Sequence, residues 1–275
     1  MSFQQLQEFL AQRRRLFVIT GAGCSAPSGI ETYRDDDGEW QRPAPVQHQD
    51  FVTSETVRKR YWARSLRGWP TFAAARANAA HKALAELEAQ DRLECLVTQN
   101  VDGLHQQAGQ RRLIELHGSL ARVICLSCGH AQTRSALQLW LESHNPALMN
   151  SPSRPAPDGD ADLGGAENSA AVRIPRCAQC AGMLKPDVVF YGDSVPRQRV
   201  DRAFQALDRA DGVLVVGSSL MVFSSYRFCR RAAQLGLPMA AVNLGRTRAD
   251  DWISAKLEAD CAIVLPALLA ADRVT

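Results

Sequence analysis

The chain has 275 residues, 46% of them hydrophobic, enough for one large domain with a smaller satellite and a sizeable core. Its 32 basic and 29 acidic residues are interspersed and leave a formal charge of +3, which argues against a nucleic-acid partner. No apolar run approaches the roughly 18 residues of a bilayer span, and Met1 to Leu6 lack a leader pattern, so a cytoplasmic protein without a membrane partner is expected; a monomer is expected too, with nothing in the composition that decides it.

In chain order, Arg13-Arg14-Arg15 ends a short amphipathic segment and reads as a solvated turn. The runs Leu16 to Thr20, Leu93 to Thr98, Val213 to Val216, Met239 to Val242 and Cys261 to Leu265 read as short strands buried on both faces. Ser54 to Leu66, Ala77 to Glu88, Val200 to Ala210 and Tyr226 to Leu235 read as helices, most with apolar residues at three- and four-residue spacing. Alternation of this kind predicts an α/β fold, a doubly wound parallel sheet. Two regions break it: Asp35 to Arg76, rich in Arg, Trp and Tyr, and Gly118 to Met183, which carries cysteine pairs and a Pro/Gly/Asp-rich stretch from Ser151 to Ser169 expected to be a surface loop.

Four polar clusters stand where apolar runs stop: Gly21-Ala22-Gly23-Cys24-Ser25, Gln99-Asn100-Val101-Asp102, Gly217-Ser218-Ser219 and Asn243-Leu244-Gly245. Ligands of open parallel sheets bind beyond the carboxyl ends of the strands, so four such ends imply one shared site for a large, polar, phosphate-bearing ligand. Gly21 to Ala26 satisfies G-x-G-x-x-[GA] directly after a strand, where backbone N–H groups can approach a pyrophosphate. A bare structural turn would carry the same residues. Pro27 and Ser28-Gly29 interrupt the helix that a dehydrogenase needs here, and no second strand with an acidic residue about 20 positions on follows.

Cys125-x-x-Cys128 and Cys177-x-x-Cys180 supply four thiolates as two chelating turns, with Gly129 and Gly182 beside them, the pattern of a closed tetrahedral Zn²⁺ site. Four filled positions leave none for water, so such a metal is structural. Four unrelated or redox-active cysteines are the other account. Cys24, Cys95, Cys229 and Cys261 read as buried thiols. Gln99, Asn100 and Asp102 suit a carboxamide and ribose hydroxyls. His117, between an apolar run and Gly118, is either a hydrogen-bonded structural residue or a base, and His105 reads as packing.

These motifs, with Lys185-Pro186-Asp187-Val188-Val189-Phe190-Tyr191-Gly192, resemble the sirtuin family in its order from about Leu16 to Leu265. Val46-Gln47-His48, Arg60 to Arg64 and Tyr226-Arg227-Phe228 are similar to the class II branch, with bacterial members and the mitochondrial fourth human sirtuin. The resemblance implies a Rossmann-like domain (1–34, 77–117 and 184–275) and a small domain (35–76 and 118–183) with a helical module and a four-cysteine zinc module. It implies an NAD-dependent protein lysine deacylase of deacetylase or lipoamidase type: the acyl-lysine oxygen attacks the nicotinamide ribose, nicotinamide leaves, and the acyl group passes to ADP-ribose. Protein mono-ADP-ribosyl transfer is the alternative.

By resemblance His117 is the base, with Asn100 and Asp102 on the ribose and carboxamide and Gln99 on the ribose. Gly21, Ala22, Gly23, Ser25, Tyr33 and Arg34 belong to the cofactor loop, Gly217, Ser218 and Ser219 to the adenosine side, Asn243, Leu244 and Gly245 to the far ribose, and Cys261 to the adenine. Val189 and Gly192 resemble the positions where a peptide adds a strand, and Lys185-Pro186-Asp187 a turn before it. The family usually has Pro and Phe where Glu31 and Tyr33 stand, which bears on the nicotinamide pocket. Tyr61 and Arg64, on one helix face, resemble a pair that holds an acyl carboxylate. That predicts acidic acyl substrates, against a plain helix-surface cation beside a packed Tyr.

Overall fold

The computed structural model describes residues 3–35, 37, 39–41, 45–164 and 171–272. Its strands are β1 (Leu16–Thr20), β2 (Leu93–Thr98), β3 (Leu113–Glu115), β4 (Gly118–Cys125), β5 (Ala131–Thr133), β6 (Arg154–Ala156), β7 (Asp160–Asp162), β8 (Leu184–Val188), β9 (Gly212–Val216), β10 (Met239–Val242) and β11 (Ala255–Leu257). Its helices are α1 (Phe3–Ala11), α2 (Ala22–Ser25), α3 (His48–Thr53), α4 (Glu55–Ala74), α5 (Ala79–Ala89), α6 (Leu104–Gln107), α7 (Arg134–His144), α8 (Pro146–Met149), α9 (Arg197–Leu207), α10 (Phe223–Gln234) and α11 (Cys261–Asp272).

Six parallel strands form one sheet in the order β11-β10-β9-β1-β2-β3. Every residue of β1, β9 and β10 is buried, which is why these strands read as unbroken apolar runs. Leu6 and Leu10 of α1, Leu84 and Leu87 of α5, and Leu265 and Leu268 of α11 cover one face. Ala203 and Leu207 of α9 and Phe228 and Ala232 of α10 cover the other. The chain moves outward from β1 through β2 and β3, then returns to β9 and moves the opposite way. The order therefore reverses between β1 and β9, and a crevice opens at their carboxyl ends.

The expected strand at Cys261 to Leu265 is instead the start of α11. A short apolar run suits a buried strand or a buried helix equally. The apolar run here continues to Ala271, through a helix of twelve residues, and the Asp260 carboxylate accepts the Ala262 N–H at 2.7 Å, capping the helix. The edge strands are β3 and β11, three residues each, too short to show periodicity.

The second sheet is antiparallel, β5-β4-β8, so Lys185-Pro186-Asp187 lies in a strand, not a turn. β4 starts directly after His117 and ends on Cys125, tying the crevice to the cysteine module. Helix α4 runs eight residues past its expected end, through Pro70. A mid-helix Pro leaves the carbonyl four residues earlier unpaired, and here the Gln138 side chain of α7 donates to that Leu66 carbonyl at 2.9 Å. The stretch after Ser151 forms a hairpin, β6 and β7 around the 3₁₀ turn Pro157–Gly159, packed on α4. An added Cβ at Gly68 of α4 would collide with the Asp160 backbone, so only glycine lets the hairpin approach so closely. Residues 165–169 of the expected loop lie outside the described residues.

Candidate active site

Parallel register aligns the strand ends. Thr20 pairs with Thr98 on one side and Val216 on the other, Thr98 with Glu115, and Val216 with Val242. The polar residues that follow each strand therefore stand side by side: Gly21, Gln99, His117, Gly217 and Asn243. They border a single cleft of about 1540 Å³, above the range of a drug-sized ligand pocket, roughly 300 to 1,000 Å³.

The glycine loop turns into α2 and a 3₁₀ turn Ala26–Ser28 that Pro27 starts and Gly29 ends in the left-handed region. It is pressed against the β9 turn: Gly23 N–H donates to the Gly217 carbonyl at 2.9 Å. At Gly217, with φ +56°, a Cβ would run into the Cys24 N and Gly23 backbone. The Asn100 amide donates to the Gly21 carbonyl and to Ser25 Oγ, both at 2.9 Å, and Ser25 Oγ donates to Asp102 at 2.6 Å. Asp102 also accepts the Leu104 N–H at 2.8 Å. Burial pushes the Asp102 carboxyl up, with these two hydrogen bonds opposing. The Gln99 amide donates to Ser218 Oγ at 2.7 Å and accepts from Ser225 Oγ at 2.9 Å.

His117 is half-buried on the floor of the cleft. Its Nδ1 lies 3.1 Å from the Gln99 carbonyl, which can only accept, so Nδ1 carries the proton and the lone pair sits on Nε2. Ser224 Oγ lies 2.7 Å from that nitrogen. Burial lowers the His117 pKa to about 4, with Arg199 and Arg227 adding to the fall and the Gln99 carbonyl opposing it. The ring is therefore neutral at pH 7.

The four module cysteines converge. Cys125 and Cys180 sulfurs are 3.5 Å apart, Cys128 and Cys177 3.7 Å, and all four ligand atoms lie within 4.8 Å of one another. In the first knuckle Gly129 takes the left-handed conformation; in the second Ala181 does, while Gly182 makes room for Ser127 and Cys125. The backbone N–H groups of Cys128 and Ser127 help lower the Cys125 pKa to about 6, favouring thiolate. Four convergent sulfurs on two chelating turns fit a structural Zn²⁺.

Cys24, His81 and His105 also converge, but they do not make a second metal centre. His81 Nδ1 accepts the Asn78 N–H, so in the neutral ring its proton lies on Nε2, toward Ser25 and Cys24, and no lone pair is left for a metal. Burial lowers the pKa of His81 to about 4 and of His105 to about 3. His105 is fully buried and bonds Thr20 Oγ1 at 2.9 Å.

Residues 21–224 match the model of the Sir2 family. The chain is a member of the Sir2 family. It is 55% identical over 260 residues to an NAD-dependent protein deacetylase of Xanthomonas campestris pv. campestris (strain 8004), spanning 94% of this chain and 88% of that one. It is 47% identical over 268 residues to the NAD-dependent protein deacylase Sirt4 of Drosophila melanogaster, spanning 96% and 86%. A solved Sir2 homolog–NAD complex superposes with a TM-score of 0.76 at 30% identity, covering 98% of this chain and 94% of that one.

Of the expected site residues of this Sir2-family chain, Gly21, Ala22, Gly23, Tyr33, Arg34, Gln99, Asn100, His117, Val189, Gly192, Gly217, Ser218, Ser219, Asn243, Leu244 and Cys261 border the cleft. Ser25 and Asp102 stand behind Asn100 rather than on the cleft wall, and Gly245 accepts from the Asn243 amide at 3.3 Å. Arg34 stacks over Trp40 at 3.9 Å, and Tyr33 meets Trp40 and Tyr191 edge-on. Val189 N–H donates to the His117 carbonyl at 2.8 Å.

Tyr61 and Arg64 share the cleft wall on α4, but each is engaged. Tyr61 packs edge-on against Phe51 and Trp62, and the Arg64 guanidinium meets Asp160 at 2.5 Å and the Ala161 carbonyl at 3.1 Å. Burial pushes the Asp160 carboxyl up, and Arg64 opposes that rise. Asp160, Ser224 and Ser225 escaped the sequence reading. The serines follow Gly217-Ser218-Ser219 closely and begin a helix, a signal available but unused.

Proposed function

We propose that this chain is an NAD-dependent protein lysine deacylase, moving an acyl group from lysine to ADP-ribose with release of nicotinamide. The observation that carries the reading is a neutral imidazole with its lone pair on Nε2, in the same cleft as the glycine loop and Asn100. The activities named for its relatives support it. NAD⁺, consumed as co-substrate, supplies the glycosidic bond that breaks and the ADP-ribose that accepts the acyl group.

The chain's residues divide the work. Gly21, Ala22, Gly23, Tyr33 and Arg34 hold the phosphate side, and Gly217, Ser218, Ser219, Asn243, Leu244, Gly245 and Cys261 the adenosine side. Gln99 and Asn100 orient the nicotinamide ribose, with Ser25 and Asp102 holding Asn100 from behind. His117 takes a proton from a ribose hydroxyl at Nε2, a step that general bases of neutral ring accelerate at pH 7. Val189 and Gly192 receive the substrate peptide as an added strand, which tolerates many sequences because the backbone makes the bonds. The four cysteines hold Zn²⁺ as a structural ion.

The domain division at 35–76 and 118–183, a monomeric state and a cytoplasmic location belong to the same proposal. No helix among the described residues is long and apolar enough to cross a membrane. On the acyl side, Tyr61 and Arg64 admit an acidic acyl tail only when Asp160 yields the guanidinium.

Turnover of an acetyl-lysine peptide with NAD⁺ is the test. One nicotinamide and one acyl-ADP-ribose per lysine freed are expected; label accumulating on protein without acyl-ADP-ribose would instead establish ADP-ribosyl transfer. His117→Ala is expected to lower kcat by about 10² to 10⁴, with the Kd for NAD⁺, measured by calorimetry, within about threefold of the parent.

A further inference from the structure

We propose that Ser224 is a positioning residue for His117, serving the base in both of its protonation states, an inference that rests on the deacylase reading above. The grounds are geometric. The imidazole is gripped at both ends, Nδ1 on the Gln99 carbonyl at 3.1 Å and Nε2 on Ser224 Oγ at 2.7 Å, so the ring cannot turn without breaking two hydrogen bonds. Ser224 is nearly buried in the first turn of α10, on the cleft wall, and its backbone is held by a twelve-residue helix.

A hydroxyl is the one small group that can do this task. It has one donor and two acceptor positions and rotates freely about Cβ–Oγ. Toward the neutral ring it donates to the Nε2 lone pair. When a substrate hydroxyl approaches, the Ser224 O–H turns away and frees the single Nε2 lone pair. The substrate O–H bond breaks, its electron pair stays on the ribose oxygen that takes the acyl group, an N–H bond forms on Nε2, and the ring becomes a cation, from whose Nε2–H the Ser224 oxygen accepts. That second bond is the stronger, because hydrogen bonds to a charged group exceed neutral ones about twofold.

The need for such a partner is local. Burial is the main obstacle to charging the ring, and the charged groups acting on it, Arg199 of α9 and Arg227 of α10, are both cationic and add to that obstacle. The imidazolium therefore forms in surroundings that oppose it, and an unpaired N–H on it would be costly. The neighbouring Ser225 holds the Gln99 amide, so one helical turn secures the ring and the side chain of the residue whose carbonyl orients it.

Four enzymes decide the matter: the parent chain, Ser224→Ala, Ser224→Thr and His117→Ala, each assayed with NAD⁺ and an acetyl-lysine peptide, alongside exchange of labelled nicotinamide. Ser224→Ala is expected to lower kcat about tenfold, the loss of one hydrogen bond, with both KM values within about twofold and nicotinamide exchange retained. Ser224→Thr is expected to recover most of the kcat. An unchanged kcat in Ser224→Ala, a threonine no better than alanine, or exchange falling in parallel with acyl transfer would overturn the role. Nitrogen NMR of the parent enzyme tests it without any variant: His117 is expected in the Nδ1–H form with Nε2 accepting, and the opposite tautomer would overturn it. If the parent released no nicotinamide with acyl peptide, the deacylase reading would fail, whatever the tautomer.

Discussion

The two walls of the cleft are built on different principles. The wall proposed for the nucleotide is backbone: glycines 21, 23 and 217 interlock at the ends of fully buried strands, where a side chain would clash at Gly21 and Gly217 and be pressed tightly at Gly23. The wall proposed for the acyl group is side chain: Tyr61 and Arg64 on α4, with Asp160 brought in by a hairpin and held by one ion pair. A wall of backbone has one shape and suits a ligand that never varies. A wall of side chains can be altered residue by residue without disturbing the sheet.

Removing zinc should produce the largest effect, because β4 joins His117 directly to the first cysteine knuckle. A thiol-competent chelator is expected to abolish turnover and release one zinc per chain, counted with a chromogenic indicator; full activity after quantitative release would detach the module from the site. Next comes Gly217→Val, which must part the two glycine loops. A loss of NAD⁺ affinity of about 100-fold or more is expected by calorimetry, in keeping with about 3 kcal/mol for overpacking. Affinity kept within threefold would show that the nucleotide wall yields as readily as the acyl wall.

Acid should weaken the nucleotide wall. His81, His105 and His117 have pKa values lowered from 6.5 to about 4, 3 and 4, chiefly by burial. The unfolded chain therefore takes up protons on these rings that the folded chain refuses, and their contribution to stability falls as pH drops from about 6.5 toward 3, opposed in acid by the raised carboxyls of Asp102 and Asp160. Urea midpoints measured through that window are expected to decline; a flat profile would mean that the rings charge freely in the fold. The smallest effect belongs to Asp160→Ala, which releases Arg64. Turnover of a glutaryl-lysine peptide should rise about tenfold relative to the acetyl peptide, the scale of one charge-assisted hydrogen bond, and equal changes on both peptides would remove Arg64 from acyl recognition.

Much of the nucleotide wall was legible in the sequence. Strands buried on both faces print themselves as apolar runs, and the polar residues that end them, Gly21, Gln99, Gly217 and Asn243, mark the crevice without any knowledge of strand order. The same reasoning failed at Cys261, where an apolar run served a buried helix, and could not see β3 or β11, too short for a pattern. The acyl wall was half legible. Tyr61 and Arg64 could be placed on one helix face from their spacing, but Asp160, 96 positions from Arg64, gives no local sign of pairing with it.

Sequence alone determined the chemistry on offer: four thiols in two chelating pairs, a glycine loop after a strand, amides, a carboxylate and one histidine at strand ends. These are local properties, set by residue type and by spacing within a few positions. Tertiary structure decided which of them act together and in what state. His117 meets Ser224 across 107 positions and Gln99 meets Ser225 across 126; only packing α10 against the strand ends closes those distances, gives Nε2 its partner and, by excluding water, keeps the ring neutral.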